Sequence, residues 1–232
     1  MRALIRVGCS GFGMAQSKYF GLYSTIEIQQ TFYQPPSIKT LNRWRNDAPD
    51  DFEFAMKAWQ LITHSSKSPT LRRLKRQLSA QELSECGEFK NTDIVREALE
   101  STLACAEVLR SKAVIFQCPA SFTPTSEHVY NLETFFTSFT RPKGVHLYWE
   151  PRGNWDPALI DRLCRTLHIF HAVDPFLDFS VTPDHPYFRL HGIGGWRHAY
   201  SATELADIDD RLQKPAQSSP HRTVPGYVFS TT

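Results

Sequence analysis

Val145-His-Leu-Tyr-Trp-Glu-Pro-Arg152 decides the fold. In an extended strand side chains alternate between faces, so Val145, Leu147 and Trp149 share one side while His146, Tyr148 and Glu150 share the other. Strands of a parallel sheet are ordinarily apolar on both faces. Here one face is apolar, and the other is polar and aromatic and ends in a carboxylate. The pattern recurs outward along the chain. Residues 187–191 set Phe188 and Leu190 against Tyr187, Arg189 and His191; residues 25–29 set Ile26 and Ile28 against Thr25, Glu27 and Gln29. Residues 52–57 set Phe52, Phe54 and Met56 against Glu53, Ala55 and Lys57. Short β-branched or aromatic runs at 4–8, 113–117, 169–174 and 226–229 bring the number of strands to eight.

Helical stretches fall between these runs. Residues 37–47 open on a cap-like Ser37 and end before Pro49; residues 91–110 carry the stripe Ile94, Val95, Ala98, Leu99, Thr102 and Leu103. Residues 126–138, 156–167 and 203–212 follow the same logic, the last with Thr203 as its N-cap. Eight strand–helix alternations predict a (β/α)8 barrel of the TIM type, with an open doubly wound sheet as the competitor. In the barrel the apolar sets face the helices and the polar sets point inward. Glu27, Lys57, Gln117, Glu150, Asp174, Arg189 and His191 then converge at the C-terminal mouth, joined by Arg152 just past the fifth strand. A competing reading makes these charges a structural ion-pair network, for example Glu27 with Lys57 on neighbouring strands. Six strands contributing polar ends to one rim favour a site instead.

The 232 residues suit one barrel domain, and no repeat, low-complexity tract or linker marks a second. Residues 58–90 are too long for an ordinary connection and are expected to form a lid or a small excursion. Lys+Arg 26 against Asp+Glu 24 leaves +2, without the basic excess that makes nucleic acid the default partner. Five cysteines with no C-x-x-C spacing argue against a disulfide framework and fit a reducing cytoplasm. The N-terminus lacks a signal-peptide core, and nowhere do 18 apolar residues run together, so no membrane association is expected. After Phe229 only three residues remain, leaving no eighth helix, so another segment or a second subunit of a homodimer is expected to cover the outer faces of the first and eighth strands.

Other features are weaker. Gly8-Cys-Ser-Gly-Phe-Gly lacks the G-x-G-x-x-G spacing and reads as a tight turn, and Cys9 as a small buried thiol. Lys67, Arg72, Arg73, Lys75 and Arg76 read as a solvated face, or as a contact for a phosphate-bearing substrate or nucleic acid together with Trp59 and Trp196. His64, His171 and His191 with Glu27, Glu150 and Asp174 are metal-ligand types, but no H-x-H or H-E-x-x-H spacing exists. The residues therefore name no metal and no cofactor.

At these residues the chain resembles the domain-of-unknown-function family 72, the YecE-like proteins, from about Arg6 to Phe229. Val7-Gly-Cys-Ser-Gly resembles the family's opening strand and turn, and Ile26-Glu-Ile-Gln-Gln-Thr-Phe-Tyr its V-E-I-N-x-T-F-Y segment. Phe52-Glu-Phe-Ala-Met-Lys-Ala resembles F-x-F-x-x-K, Phe116-Gln-Cys-Pro-Ala-Ser-Phe resembles F-Q-x-P-x-S-F, Glu150-Pro-Arg-Gly-Asn-Trp resembles E-x-R-x-x-W, and Tyr187-Phe-Arg-Leu-His-Gly resembles Y-x-R-L-H-G. The resemblance implies a TIM barrel and places Glu27, Lys57, Gln117, Glu150, Arg152, Arg189 and His191 on motif positions. It implies no reaction. Gln29-Gln30 departs from the family's usual Asn and small polar residue, and Ser230-Thr231 stands where its closing strand commonly reads Asn-Asn.

The reading that follows is a hydrolase-like enzyme for a small polar or anionic substrate. Glu27 and Glu150 are its acid/base or nucleophile, with Lys57, Arg152 and Arg189 binding negative charge and Gln117, Asp174 and His191 orienting the substrate. Carboxylates on strands two and five should lie roughly 6–8 Å apart, the spacing that admits a water between them. Two alternatives stand beside it: a lyase forming a Schiff base at Lys57, and a nucleic-acid or phosphoester binder using the basic 67–76 loop.

Overall fold

The computed structural model describes residues 5–195, 197–218 and 226–231. Eight parallel strands pair in the order β1-β8-β7-β6-β5-β4-β3-β2. They are β1 (Ile5–Cys9), β2 (Thr25–Ile28), β3 (Glu53–Lys57), β4 (Ala113–Gln117), β5 (His146–Glu150), β6 (Phe170–Val173), β7 (Tyr187–Leu190) and β8 (Gly226–Ser230). Ser10 forms a parallel bridge with Glu27, and the Gly11 N–H donates to the Glu27 carbonyl at 2.8 Å, so the ring nearly closes between β1 and β2. No strand border departs from the sequence reading by more than one residue; Leu4 lies outside the described residues.

The helices are α1 (Gln16–Leu22), α2 (Gln30–Tyr33), α3 (Ile38–Asp47), α4 (Gln60–Thr63), α5 (Ala80–Glu85), α6 (Asp93–Leu109), α7 (Ser126–Thr137), α8 (Pro157–Leu167) and α9 (Ala202–Ser218). Ser37 caps α3 by accepting from the Thr40 N–H. The cap expected at Thr203 is displaced: the Ser201 hydroxyl accepts from the Glu204 N–H at 3.3 Å, and the Glu204 carboxylate accepts from the Ser201 N–H at 2.6 Å. Ser-x-x-Glu satisfies two orphan donors reciprocally, which a cap at Thr203, with Ala206 three residues later, cannot do.

Two connections differ from a plain alternation. Helix α1, short and interrupted by Gly21, carries too weak a stripe to read in sequence, yet it buries Tyr19. The Tyr19 hydroxyl accepts from the Cys9 N–H at 2.8 Å and donates to the Thr25 carbonyl at 3.0 Å, tying β1 to β2. Between β6 and β7 no helix forms; Pro175, Pro183 and Pro186, which cannot supply a ladder N–H, keep that stretch a loop.

The alternation resolves into two cores. Ile26, Ile28, Phe54, Met56, Leu147 and Trp149 face outward and pack with the helix residues Leu41, Ile94, Ala98 and Leu163. Ala55, Ile115, Tyr148, Tyr187, Tyr227 and Phe229 fill the barrel. Val228 on β8 is buried with Phe188, Leu190 and Ile208 of α9, so α9 is the segment that covers the outer face of β8; on β1 Val7 is exposed. Residues 58–90 form a folded excursion of α4, a 3-10 turn at Pro69–Arg73 and α5, which packs on α6 and α2. It returns through Gly87, Glu88 and Phe89, all at positive φ, whose Gly87 and Phe89 N–H groups donate to the Leu61 and Ile62 carbonyls of α4. Among the described residues no helix is long and apolar enough to cross a membrane.

The β1–β2 seam makes one test direct. A Cβ on Gly8 would sit 2.4 Å from the Thr25 carbonyl oxygen. Gly8→Ala should therefore cost about 1–3 kcal/mol by forcing the strands apart. A denaturant midpoint equal to that of the wild type would show that the seam yields freely.

Candidate active site

Arg189, on the inward face of β7 and 2% exposed, organises the mouth. Its Nη1 donates to Glu150 Oε2 at 2.7 Å, while Nη2 and Nε donate to Glu27 Oε1 and Oε2 at 2.9 Å and 3.0 Å. Glu27, fully buried, also accepts from the Tyr187 hydroxyl at 2.7 Å, from the Ser10 hydroxyl at 2.8 Å and from the Gln29 amide. Glu150 accepts at Oε1 from Gln117 Nε2 at 3.0 Å and contacts His191 Nε2 at 2.9 Å. A buried ion-pair network does form, with Glu27 paired to Arg189 and not to Lys57. The two carboxylates share one guanidinium, which stands between them across the mouth.

That arrangement fixes their charge. Burial alone would raise both glutamates; for each, the Arg189 charge and the hydrogen bonds it receives outweigh burial and hold the carboxyl below its ordinary value. Burial likewise works against the Arg189 cation, and the two carboxylates overcome it. Tyr187 is pushed well above its usual range by burial and by the Glu27 charge, so it remains a donor.

Lys57, 6% exposed at the end of β3, is placed differently. Its Nζ lies 3.5 Å from the centre of the Phe32 ring, and among the described residues no acceptor is within hydrogen-bonding distance. Burial pushes it from the ordinary 10.5 down to about 7; Arg189 and Arg152 act in the same direction, Glu150 and Glu27 against it. His64 at the end of α4 packs edge-on to Phe32 and is driven to about 3 by burial, then by Lys57 and Arg152, so it is neutral.

The remaining expected residues divide. Gln117 and His191 join the network through Glu150, and Arg152 lies exposed at the rim. Asp174 accepts from the Phe176 and His191 N–H groups, each at 3.0 Å, and so ties the loop ends together. Ser10, Tyr187 and Thr231 were missed. Thr231 Oγ1 lies 3.1 Å from His191 Nδ1. All three continue the inward alternation of β1, β7 and β8 by steps of two, which is the signal that could have found them.

Among the described residues no group of three or more His, Cys, Asp or Glu side chains is disposed around a metal position. The basic loop is partly spent: Arg73 stacks 3.6 Å from the Tyr33 ring centre, and Arg76 bridges Glu82 and Glu97. Trp59 is buried and not available for base stacking; Trp196 lies outside the described residues.

The family model described as "Protein of unknown function DUF72" matches residues 15–229. Among solved structures, a DUF72 family protein from Enterococcus faecalis V583 superposes with a TM-score of 0.72 at 20% identity, covering 99% of this chain and 91% of that one. A DUF72 family protein from Thermotoga maritima MSB8 gives 0.69 at 20% identity, covering 98% and 92%. A xylose isomerase domain containing protein from Salmonella typhimurium LT2 gives 0.59 at 12% identity, covering 100% and 90%, a likeness of fold. No curated protein matches the chain in sequence.

Proposed function

The chain belongs to the DUF72 family, whose description carries no reaction, and from that premise we propose that the barrel mouth is an enzyme site for a small polar carbonyl compound, with the Lys57 amine as the reacting group. The observation that carries this reading is the state of Lys57: buried, without an acceptor among the described residues, and held near neutrality, where a large share of the amine is unprotonated. An unprotonated amine on a barrel strand is a nucleophile. Its nitrogen attacks the carbonyl carbon, the carbonyl oxygen takes a proton, and loss of water from the carbinolamine leaves a protonated imine. His191, hydrogen-bonded to Glu150 on the same rim, is a proton carrier for those steps.

Hydrolysis by paired carboxylates requires one carboxyl to hold a proton. Arg189 keeps both ionised and occupies the place between them where the attacking water would sit. Glu27 and Glu150 therefore anchor Arg189 and shape the charge around Lys57. Arg189, bound to both, is not free to grip a substrate anion, which leaves Arg152 for that role.

Borohydride reduction in the presence of a panel of small aldehydes and ketones tests the reading. The expected result is an irreversible adduct located on Lys57 by peptide mass spectrometry and absent from Lys57→Met. An adduct on surface lysines alone, or none with any carbonyl, would sink it.

A further inference from the structure

We infer that Thr231 is a catalytic residue of the barrel mouth, whose hydroxyl is the outlet through which His191 trades a proton with the bound carbonyl compound. This rests on the Lys57 reading and deepens it, because it names the group that delivers the proton and the ring nitrogen that supplies it.

Thr231 follows the last residue of β8. Tyr227 and Phe229 of that strand fill the barrel, and a further step of two turns the Thr231 side chain toward the mouth. Ser230 is level with Leu190 of β7 and with Cys9 of β1, which sets Thr231 in the ring between His191 and Ser10. The Thr231 backbone N–H donates to the Leu190 carbonyl at 3.1 Å, so the residue continues the ladder of β8, and it is half-buried.

Both ring nitrogens of His191 are engaged. Nε2 faces Glu150 Oε1 at 2.9 Å and Nδ1 faces Thr231 Oγ1 at 3.1 Å, while Asp174 accepts from the His191 backbone N–H at 3.0 Å and fixes the chain beneath the ring. An ionised carboxylate only accepts hydrogen bonds, and against the pull of burial Arg189 keeps Glu150 ionised, so Nε2 carries a proton. His191 therefore gains and loses its proton at Nδ1. The group standing at Nδ1 is the Thr231 hydroxyl.

A hydroxyl donates one hydrogen bond and accepts two. Thr231 Oγ1 has the Leu190 carbonyl at 2.9 Å as well as Nδ1, so it serves either state of the ring. When Nδ1 carries a proton, Oγ1 accepts from it and donates elsewhere; when Nδ1 is bare, the hydroxyl turns and donates to it. The Leu190 carbonyl keeps the Thr231 backbone N–H in both states, so the ring changes charge with one hydroxyl rotation and no lost partner. In the loss of water from the carbinolamine, the Oγ1 proton passes to the departing oxygen as the Nδ1 proton passes to Oγ1. The carbon–oxygen bond breaks with its electrons on oxygen, which leaves as water, and the Lys57 nitrogen lone pair forms the carbon–nitrogen double bond. The ring ends neutral, with Nδ1 accepting from Thr231.

Two measurements test this, the first independent of any reaction. Nitrogen NMR of the His191 ring should show the neutral form protonated at Nε2, with Nδ1 hydrogen-bonded. Thr231→Val, which keeps the shape and removes the hydroxyl, should move Nδ1 toward the value of a bare lone pair, and Thr231→Ser should restore it. A neutral ring protonated at Nδ1, or an Nδ1 resonance the same in Thr231→Val as in wild type, would overturn the inference. The second measurement is the rate of trapping with borohydride in excess, where imine formation is limiting. His191→Gln should slow it about a hundredfold, the lower range for a general acid–base group. Thr231→Val should slow it by about tenfold or more with the half-saturating carbonyl concentration unchanged, and Thr231→Ser should recover most of that loss. The double variant should be no slower than His191→Gln alone, because the two residues act in one chain. Losses that multiply, or a Thr231→Val protein as fast as wild type, would show that Thr231 only ties β8 to β7. An Nδ1 that responds to Thr231 as expected, in a protein that traps no carbonyl, would overturn the Lys57 reading and leave the Thr231–His191 pair standing.

Discussion

Arg189→Met is expected to remove about 3–5 kcal/mol of stability, the cost of leaving buried charges without their partner. That is a large part of the roughly 5–15 kcal/mol available to a folded protein. The loss is large because one guanidinium serves two carboxylates, Glu27 fully buried and Glu150 nearly so. The pH dependence should also change sign. In the wild type both glutamates have folded values below their unfolded ones, so their contribution is present above the unfolded carboxylate value of about 4.3 and is lost as pH falls. Without Arg189, burial dominates and raises both, so the folded state binds more protons and stability falls as pH rises through that region. Urea denaturation at pH 4 and pH 7 reads both effects. A variant within about 1 kcal/mol of wild type, with the same slope between those pH values, would show that Arg189 is not the keystone of the mouth.

Lys57→Met should stabilise the protein, most strongly at and below neutral pH. A lysine whose folded value is about 7 against an unfolded value of about 10.4 releases its proton on folding anywhere between the two. In that window the unfolded chain binds one more proton, so wild-type stability rises with pH at up to about 1.4 kcal/mol per unit. Below pH 7 the full penalty applies, about 5 kcal/mol at most, reduced by the attraction of the ammonium for the Phe32 face. Methionine fills a similar volume, carries no charge and removes the slope. Thermal unfolding of both proteins at pH 6 and pH 9 should show the variant well above wild type at pH 6, with the gap closing at pH 9. A Met variant less stable than wild type at pH 6 would show that Lys57 is a structural cation. Stability surrendered at one buried polar residue is what a reactive group in a packed barrel costs.

Much of this site was legible because strand periodicity converts sequence into direction. Once residues 145–150 are read as an extended run facing two environments, Glu150 must point inward, and the same step places Glu27, Lys57, Arg189 and their neighbours on the inward face. The failures have local causes. Alternation placed Asp174 at the rim but could not show that its carboxylate accepts from the Phe176 and His191 amides of two loops. Gly8 reads as a turn residue, while its reason is the close passage of Thr25, a contact made across the seam. His171 faces the opposite way from Ala172 of its own strand, and the strap at 180–182 that holds its ring lies in a loop that alternation does not reach.

The sequence by itself determined the barrel and its polar rim, since period-two alternation repeated over eight short runs admits few other folds. Which charges find one another was decided by the tertiary structure alone. Glu27 and Arg189 are 162 residues apart, and no spacing rule connects them. Glu27 and Lys57 are on adjacent strands, and alternation alone would have joined them. Ring closure brings β7 across from β2, and a guanidinium with five fixed donors satisfies two buried carboxylates at once where a single ammonium cannot. Lys57 is thereby left against an aromatic face, deprotonated far more readily than a free lysine, and its reactivity follows from a contest among side chains that only the closed barrel sets up.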